Sequence, residues 1–189
     1  CGFGISARTS YLKVQVKISV RVKFGSVGKC FLGKRHISTN FSNCYSLDMT
    51  VDASNNLYIT GEFIGTADFD PSGNTATLSS LNMSYSNAFV CKWDNSGTFI
   101  WTKQLSGYGS FGRNITMSNS GNVVTSGDFL GLVDFDPSSN VIELDVTSYD
   151  AYISILDQNG NTVWADAFGG TGYDFSYALS VSYCANIIF

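Results

Sequence analysis

The sequence predicts an all-β fold, and three observations support this prediction. Val, Ser, Thr, Asn, Tyr and Phe are frequent, while only two of the 189 residues are proline, which is typical of short strands. Short apolar segments alternate with turns rich in Asn, Asp, Ser and Gly. The same strand-and-turn pattern also recurs along the chain. No run of about eighteen apolar residues is present, so we expect no membrane-spanning helix.

The internal repeat is visible in two pairs of segments. Residues 61–71 (GEFIGTADFDP) recur as residues 127–137 (GDFLGLVDFDP), with seven of eleven positions identical and an offset of 66. Residues 87–97 match residues 150–160 at an offset of 63, so the intervening loop is three residues shorter in the second copy. Repeats of this length indicate units that stack on their neighbours.

Each repeat unit is predicted to contain four strands. In the first strand Leu47, Met49 and Val51 alternate with polar residues, as in a strand with two different faces. Asn-, Asp- and Gly-containing turns separate the strands. The predicted strands are 47–51, 57–63, 88–93 and 99–105 in one unit, and a strand around Ile115 and Met117, 123–129, 151–156 and 162–168 in the next.

Four segments follow from this repeat. Residues 1–43 are a degenerate, basic partial repeat, 44–109 and 110–174 are complete units, and 175–189 are the truncated start of a further unit. The chain begins at a cysteine and stops within an apolar run, so we expect both ends to be cut.

The third strands indicate how the units are arranged. Residues 151–156 (AYISIL) are apolar on both faces, as expected of a sheet with neighbours on both sides. A four-stranded sheet packed between copies of itself is a propeller blade. We therefore predict a partial β-propeller of about three four-stranded blades, with an open β-solenoid stack as the alternative architecture.

The repeated residues resemble the SBBP (β-propeller) repeat of bacterial extracellular and surface proteins. The resemblance depends on residues 52–61 (DASNNLYITG), 65–71 (GTADFDP), 87–94 (NAFVCKWD) and 101–107 (WTKQLSG). It extends over residues 44–189 and weakly over 20–43. It implies a propeller fold and a secreted or cell-surface location, and it implies no known catalytic residue.

Repeated carboxylates provide one candidate metal site. Asp68 and Asp70, and likewise Asp134 and Asp136, are two residues apart and would share one face of an extended strand. Calcium prefers such oxygen ligands, but a complete site needs about six to eight of them. The alternative interpretation is that each Asp before Pro starts a turn and accepts a backbone N–H. No other cofactor is predicted.

Other candidate groups favour structural roles. Asp94 and Asp157 begin Asp-x-x-Gly segments, which predicts turn capping rather than metal binding. The glycines around 107–109 and 169–172 are expected in loops between units, without a phosphate-binding role. The five widely spaced cysteines favour buried free thiols, with a disulfide as the alternative.

Aromatic residues of the third and fourth strands allow two interpretations. They would form a sugar-stacking platform if they were exposed, and they would be core residues if the sheets are buried on both sides. The residues concerned are Phe89, Trp93, Trp101, Tyr152 and Trp164. We favour the core.

The charge is distributed unevenly. Residues 1–43 contain eight Lys and Arg residues and no acid, whereas the remainder contains three bases and fifteen acids. A basic arm suits an anionic partner such as nucleic acid. Alternating charges at residues 14–24 are equally typical of a solvated edge strand, and the abrupt change near residue 43 also allows mistranslation. We therefore expect no nucleic-acid partner.

No catalytic constellation is evident in the sequence. His36 is the only histidine, and no acidic residue precedes Asp48. We predict a non-catalytic scaffold, adhesion or binding module of a secreted or cell-surface protein, with neighbouring blades and a protein or glycan ligand as partners. The alternative is a fragment of a secreted propeller enzyme that acts on glycans.

Overall fold

The computed structural model describes residues 43–182, apart from residues 71, 73, 82 and 139, together with residues 187–188. This part of the chain is all-β and antiparallel, which confirms the predicted class. Its strands are β1 (Asn43–Val51), β2 (Leu57–Ile64), β3 (Thr66–Asp68), β4 (Thr77–Ser79), β5 (Asn87–Trp93), β6 (Phe99–Met117), β7 (Val123–Asp134), β8 (Glu143–Leu156), β9 (Thr162–Phe168), β10 (Ser180–Val181) and β11 (Ile187–Ile188). Across these residues, no helix is long and apolar enough to cross a membrane.

Seven strands are joined in the order β1-β2-β5-β6-β7-β8-β9. The first part of β6 pairs with β5 and its second part pairs with β7, so β6 links two four-stranded sheets. We call β1, β2, β5 and the first part of β6 the first sheet, and the second part of β6, β7, β8 and β9 the second sheet. The eight predicted strands are confirmed. The predicted loop at Gly107–Gly109 is wrong, because β6 continues through it with a register shift.

The two sheets share a local irregularity at their first strand. A β-bulge lies between Ser46 and Asp48 in the first sheet and between Gly112 and Asn114 in the second. Opposite each bulge lies a glycine, Gly61 or Gly127. A β-carbon on either glycine would overlap the carbonyl oxygen of the neighbouring strand, which explains why glycine recurs at this position.

The two sheets pack face to face. Tyr58 and Val90 of the first sheet share a buried cluster with Ile115, Val123 and Leu156 of the second. A second cluster joins Ala88 and Leu105 to the Phe129, Phe135 and Tyr152 side chains. Burial on both faces is thereby confirmed for the third strands, β5 and the second part of β8.

Polar contacts complete the interface between the sheets. Lys92 Nζ and Trp101 Nε1 of the first sheet both donate to the carbonyl oxygen of Gln158, at 3.0 and 3.2 Å. Asp48 Oδ2 accepts the backbone N–H of Ile115 at 2.9 Å. The charge of Lys92 is buried but compensated, because its ammonium also lies 5.0 Å from the centroid of the Tyr58 ring.

The DFDP segments add a hairpin to each sheet and anchor it in the core. In the first unit β3 pairs with β4, and in the second unit the ends of β7 and β8 continue the same pairing. Phe69 packs 4.8 Å from Phe89, and Phe135 packs 5.0 Å from Tyr152, measured between ring centroids. The central Phe of the motif is therefore a core residue.

A short strand pair after β9 resembles the pairing of β1 with β2. Ser180 pairs with Ile188 and Val181 with Ile187, which reproduces the pairing between β1 and β2 at an offset of 130. The backbone bond from Asp174 N to Tyr149 O, 2.7 Å long, likewise reproduces the bond from Ser110 N to Ser86 O. The predictions for residues 1–42, including His36 and the basic arm, lie outside the described residues.

The cysteines differ from one another. Cys91 is a buried free thiol, as predicted, and burial raises its pKa. Cys44 is disulfide-bonded, so the prediction of a free thiol is wrong there. Spacing along the sequence does not reveal which cysteines meet in space.

Candidate functional site

The carboxylates predicted as calcium ligands act within two equivalent turns. Asp68 Oδ1 accepts the backbone N–H groups of Asp70 and Ala76, at 3.1 and 2.9 Å. Asp134 Oδ1 accepts those of Asp136 and Ile142, at 2.9 and 3.0 Å. The first Asp of each motif therefore closes a loop of the chain upon itself.

The second Asp of each motif continues the same pattern. Asp70 Oδ1 accepts the N–H of Ser72 at 2.8 Å, and Asp136 Oδ1 accepts that of Ser138 at 2.9 Å. This geometry agrees with the turn interpretation. Within the described ranges, no group of three or more His, Cys, Asp or Glu side chains is placed to hold a metal ion. Calcium binding by Asp68, Asp70, Asp134 and Asp136 stays a prediction.

Turn capping at Asp94 and Asp157 is confirmed. Each carboxylate Oδ1 accepts two backbone N–H groups, those of Ser96 and Thr98 or those of Asn159 and Asn161. Hydrogen bonds from Ser96 and Thr98 lower the pKa of Asp94. Desolvation raises the pKa of Asp157, but its turn hydrogen bonds outweigh that effect and leave the pKa lowered.

Aromatic residues considered for sugar stacking are distributed unequally. Phe89 and Tyr152 are 1% exposed and belong to the core, as favoured from the sequence. Trp101 is partly covered by its edge-on contact with Tyr58. Trp164 is 40% exposed, so the core prediction does not hold for it. Its strand, β9, ends the order of seven joined strands.

A charged cluster lies at the two bulges, where the sheets approach each other. Arg113 Nε and Nη2 donate to Asp128 Oδ2 at 2.9 and 2.8 Å, and Asp128 is 1% exposed. Burial raises the pKa of Glu62, the counterpart of Asp128 in the first sheet, although Arg113 opposes that shift. The sequence signal for this cluster was the acidic residue that follows glycine in both units, Glu62 after Gly61 and Asp128 after Gly127.

Three hydroxyl groups are buried on the face of the second sheet that meets the first. Thr125 and Ser154 are cross-strand partners, and Tyr152 lies on the same face. Thr125 Oγ1, Ser154 Oγ and the Tyr152 hydroxyl make no hydrogen bond of standard geometry in the described part of the chain, although Tyr152 and Thr125 are close enough to interact weakly. Buried hydroxyls of this kind suit internal water.

Two groups of aromatic rings lie beside the links between units, the pair Tyr85 and Tyr108 and a second group of four rings, Tyr149, Tyr173, Phe175 and Tyr177. We call Tyr85, Tyr108, Tyr149, Tyr173, Phe175 and Tyr177 the aromatic ridge. The Tyr85 and Tyr108 ring centroids lie 4.2 Å apart with the rings tilted by 36°, and the Tyr149 ring lies 5.9 Å from Tyr173 and 6.0 Å from Phe175. Phe175 lies 6.5 Å from Tyr177. Sequence reasoning missed the ridge, because its members other than Phe175, the counterpart of Phe111, do not recur with the repeat.

Comparison with models of known protein families finds no family that matches the chain, and comparison with curated proteins finds no match either. The fold and the contacts described above therefore provide the basis for a functional proposal.

Proposed function

We propose that this chain is a stretch of a β-propeller array and serves as a non-catalytic binding scaffold in a secreted or cell-surface protein. The ligand surface of this scaffold is formed by segments that link one unit to the next. Its partners are the neighbouring units and an external protein or glycan.

The main support is the equivalence between an exposed face and a buried one. Ile115 in the first strand of the second sheet is 4% exposed, because the first sheet covers it. Its counterpart in the first sheet, Met49, is 52% exposed, and the neighbouring Leu47 and Val51 are 44% and 37% exposed. An apolar face that one unit buries and the other exposes indicates a place for a further unit.

The strand order supports a propeller over a solenoid. Each unit contains four antiparallel strands in sequential order, with the third strand buried on both faces. This meander is the usual form of a propeller blade. The shared strand β6 passes from the last position of one sheet to the first position of the next, as a connection between successive blades requires.

The use of the carboxylates supports a scaffold role. Asp68, Asp94 and Asp157 accept backbone N–H groups within turns, and Asp128 neutralises Arg113. These acids have structural tasks that explain their positions without a reaction. A general acid or base would need to be held within reach of a substrate proton.

Two measurements test the proposal. Protease treatment of intact cells that produce the protein should release peptides of this chain, detected by mass spectrometry. Incubation of the purified chain with soluble polysaccharides should release no reducing ends. Peptides that appear only after cell lysis would contradict the surface location. Time-dependent release of reducing sugar would contradict the non-catalytic role.

A further inference from the structure

Four of the six rings of the aromatic ridge are exposed although each contacts another ring of the ridge. Tyr108 and Phe175 are 44% and 43% exposed, and Tyr173 and Tyr177 reach 74% and 87%. Large aromatic side chains usually bury most of their area, so several connected open rings form an interaction surface. Neighbouring rings are tilted by 34° between Tyr173 and Phe175 and by 66° between Phe175 and Tyr177, which leaves ring faces accessible.

Backbone and side-chain bonds hold the ridge in place. The Tyr108 hydroxyl donates to that of Tyr85 at 2.6 Å, and this bond, with smaller contributions that include the charge of Tyr149, raises the pKa of Tyr108. The carbonyl of Tyr149 accepts the N–H of Asp174 at 2.7 Å. A surface fixed before binding loses little conformational entropy when a ligand arrives.

The groups around the ridge disfavour an anionic ligand. The cation beside it, Arg113, lies 5.1 Å from the Phe111 ring centroid and is already paired with Asp128. Asp174 belongs to the same segment as Tyr173 and Phe175, and its Oδ2 accepts the N–H of Gly170 at 3.0 Å. Among the described residues, no unpaired cation lies beside these carboxylates and phenol groups, and such a set suits a ligand that carries hydroxyl groups and no negative charge.

Segments that present the ridge have a composition suited to recognition. Residues 106–112 (SGYGSFG) and 169–177 (GGTGYDFSY) combine Tyr and Phe with Gly, Ser and Asp. Tyr provides a rigid ring together with a hydroxyl, at a low entropic cost, while small polar residues adapt their hydrogen bonds. Ring faces pack against C–H groups, and the hydroxyls and carboxylates bond to polar ones.

We propose that the aromatic ridge binds a neutral oligosaccharide, with sugar rings packed on Tyr173, Phe175 and Tyr177 and sugar hydroxyls bonded to phenol and carboxylate groups. This inference rests on the proposed function, because it names the surface and the ligand class of the same scaffold.

Isothermal titration of the full chain with neutral hexasaccharides tests this site. The probes are cellohexaose, xylohexaose, laminarihexaose and mannohexaose, with hexalysine and a heparin hexasaccharide as charged comparisons. At least one neutral probe should bind, and the double substitution Tyr173→Ala with Tyr177→Ala should weaken it by about tenfold or more. Both rings are mostly exposed, so the variant should keep the circular dichroism spectrum of the parent chain.

Trp164→Ala is the matched control, since it removes an exposed aromatic ring from β9, outside the ridge. It should leave the affinity unchanged. The ridge proposal is wrong if no neutral probe binds at about 1 mM, if a charged probe binds more tightly, or if the Trp164 and tyrosine variants lose affinity equally. Those results leave the scaffold role intact, whereas reducing-sugar release would overturn the scaffold role and leave the binding site standing.

Discussion

Replacement of Gly127 by alanine should destabilise the fold strongly. A β-carbon there would overlap the carbonyl oxygen of Phe111 and lie 2.9 Å from its carbonyl carbon and 2.8 Å from Tyr152 Cε1. The first obstacle is backbone and the second belongs to a fully buried ring, so neither can move at low cost. Overpacking of a core costs about 1–3 kcal/mol, and we expect about 3 kcal/mol for Gly127→Ala because two rigid obstacles coincide.

Urea unfolding followed by tryptophan fluorescence measures this loss. A loss of about 3 kcal/mol corresponds to a decrease of roughly 6–12 °C in Tm for a chain of this size. Gly61→Ala should behave similarly, because its β-carbon would overlap the carbonyl oxygen of Tyr45. The control is Gly170→Ala, whose β-carbon meets nothing within 4 Å and should change stability by less than about 0.5 kcal/mol. Equal stability of the Gly127 and Gly170 variants would refute the reasoning.

Three further substitutions test the polar groups. The turn hydrogen bonds lower the pKa of Asp157 below its ordinary 3.8, so the stability that its carboxylate contributes is complete above that value and disappears as the pH falls through the folded pKa. Asp157→Asn should therefore reduce the decrease of Tm at acid pH, measured by thermal melts. An unchanged dependence of Tm on pH would contradict the capping role. Burial raises the pKa of Glu62 above 4.5, so the folded state loses stability as the pH rises through that higher value. Glu62→Gln should therefore increase Tm more at neutral pH than below pH 4.5, and the opposite order would show that the charge of Arg113 dominates. Tyr152→Phe should leave the free energy of unfolding unchanged or raise it, because the hydroxyl makes only a weak contact with Thr125 among the described residues and Phe89 occupies the equivalent position. A loss of about 1–3 kcal/mol would instead indicate a stronger bond, to Thr125 or to buried water.

The strands were predictable because their signals are local and repeated. Asp94 and Asp157 cap equivalent turns, and their Asp-x-x-Gly spacing is visible in the sequence. Alternation around Met49 predicted β1, and the continuous apolar run at 151–156 predicted a strand buried on both faces. Each of these features depends on residues only a few positions apart.

Features that depend on contacts between strands distant in the sequence were not predictable. The glycines at 107 and 109 are typical of a loop, yet β6 continues through them with a shift in register. Gly107 lies so close to the carbonyl of Leu132 that a side chain would not fit there, so the glycine serves close approach of two strands rather than a turn. Sequence patterns do not distinguish these two uses of glycine.

Comparison of the two units separates the demands of the fold from those of binding. Where the fold requires a residue, both copies have it, as at Phe69 and Phe135 in the core. The ridge residues Tyr85 and Tyr108 are not repeated, since they correspond to Ser148 and Thr171 at the offset of 63. A four-stranded unit therefore forms without a tyrosine at either position. The proposed recognition role would explain why Tyr108, which is 44% exposed, is joined to Tyr85 by a 2.6 Å hydroxyl bond that the architecture does not require.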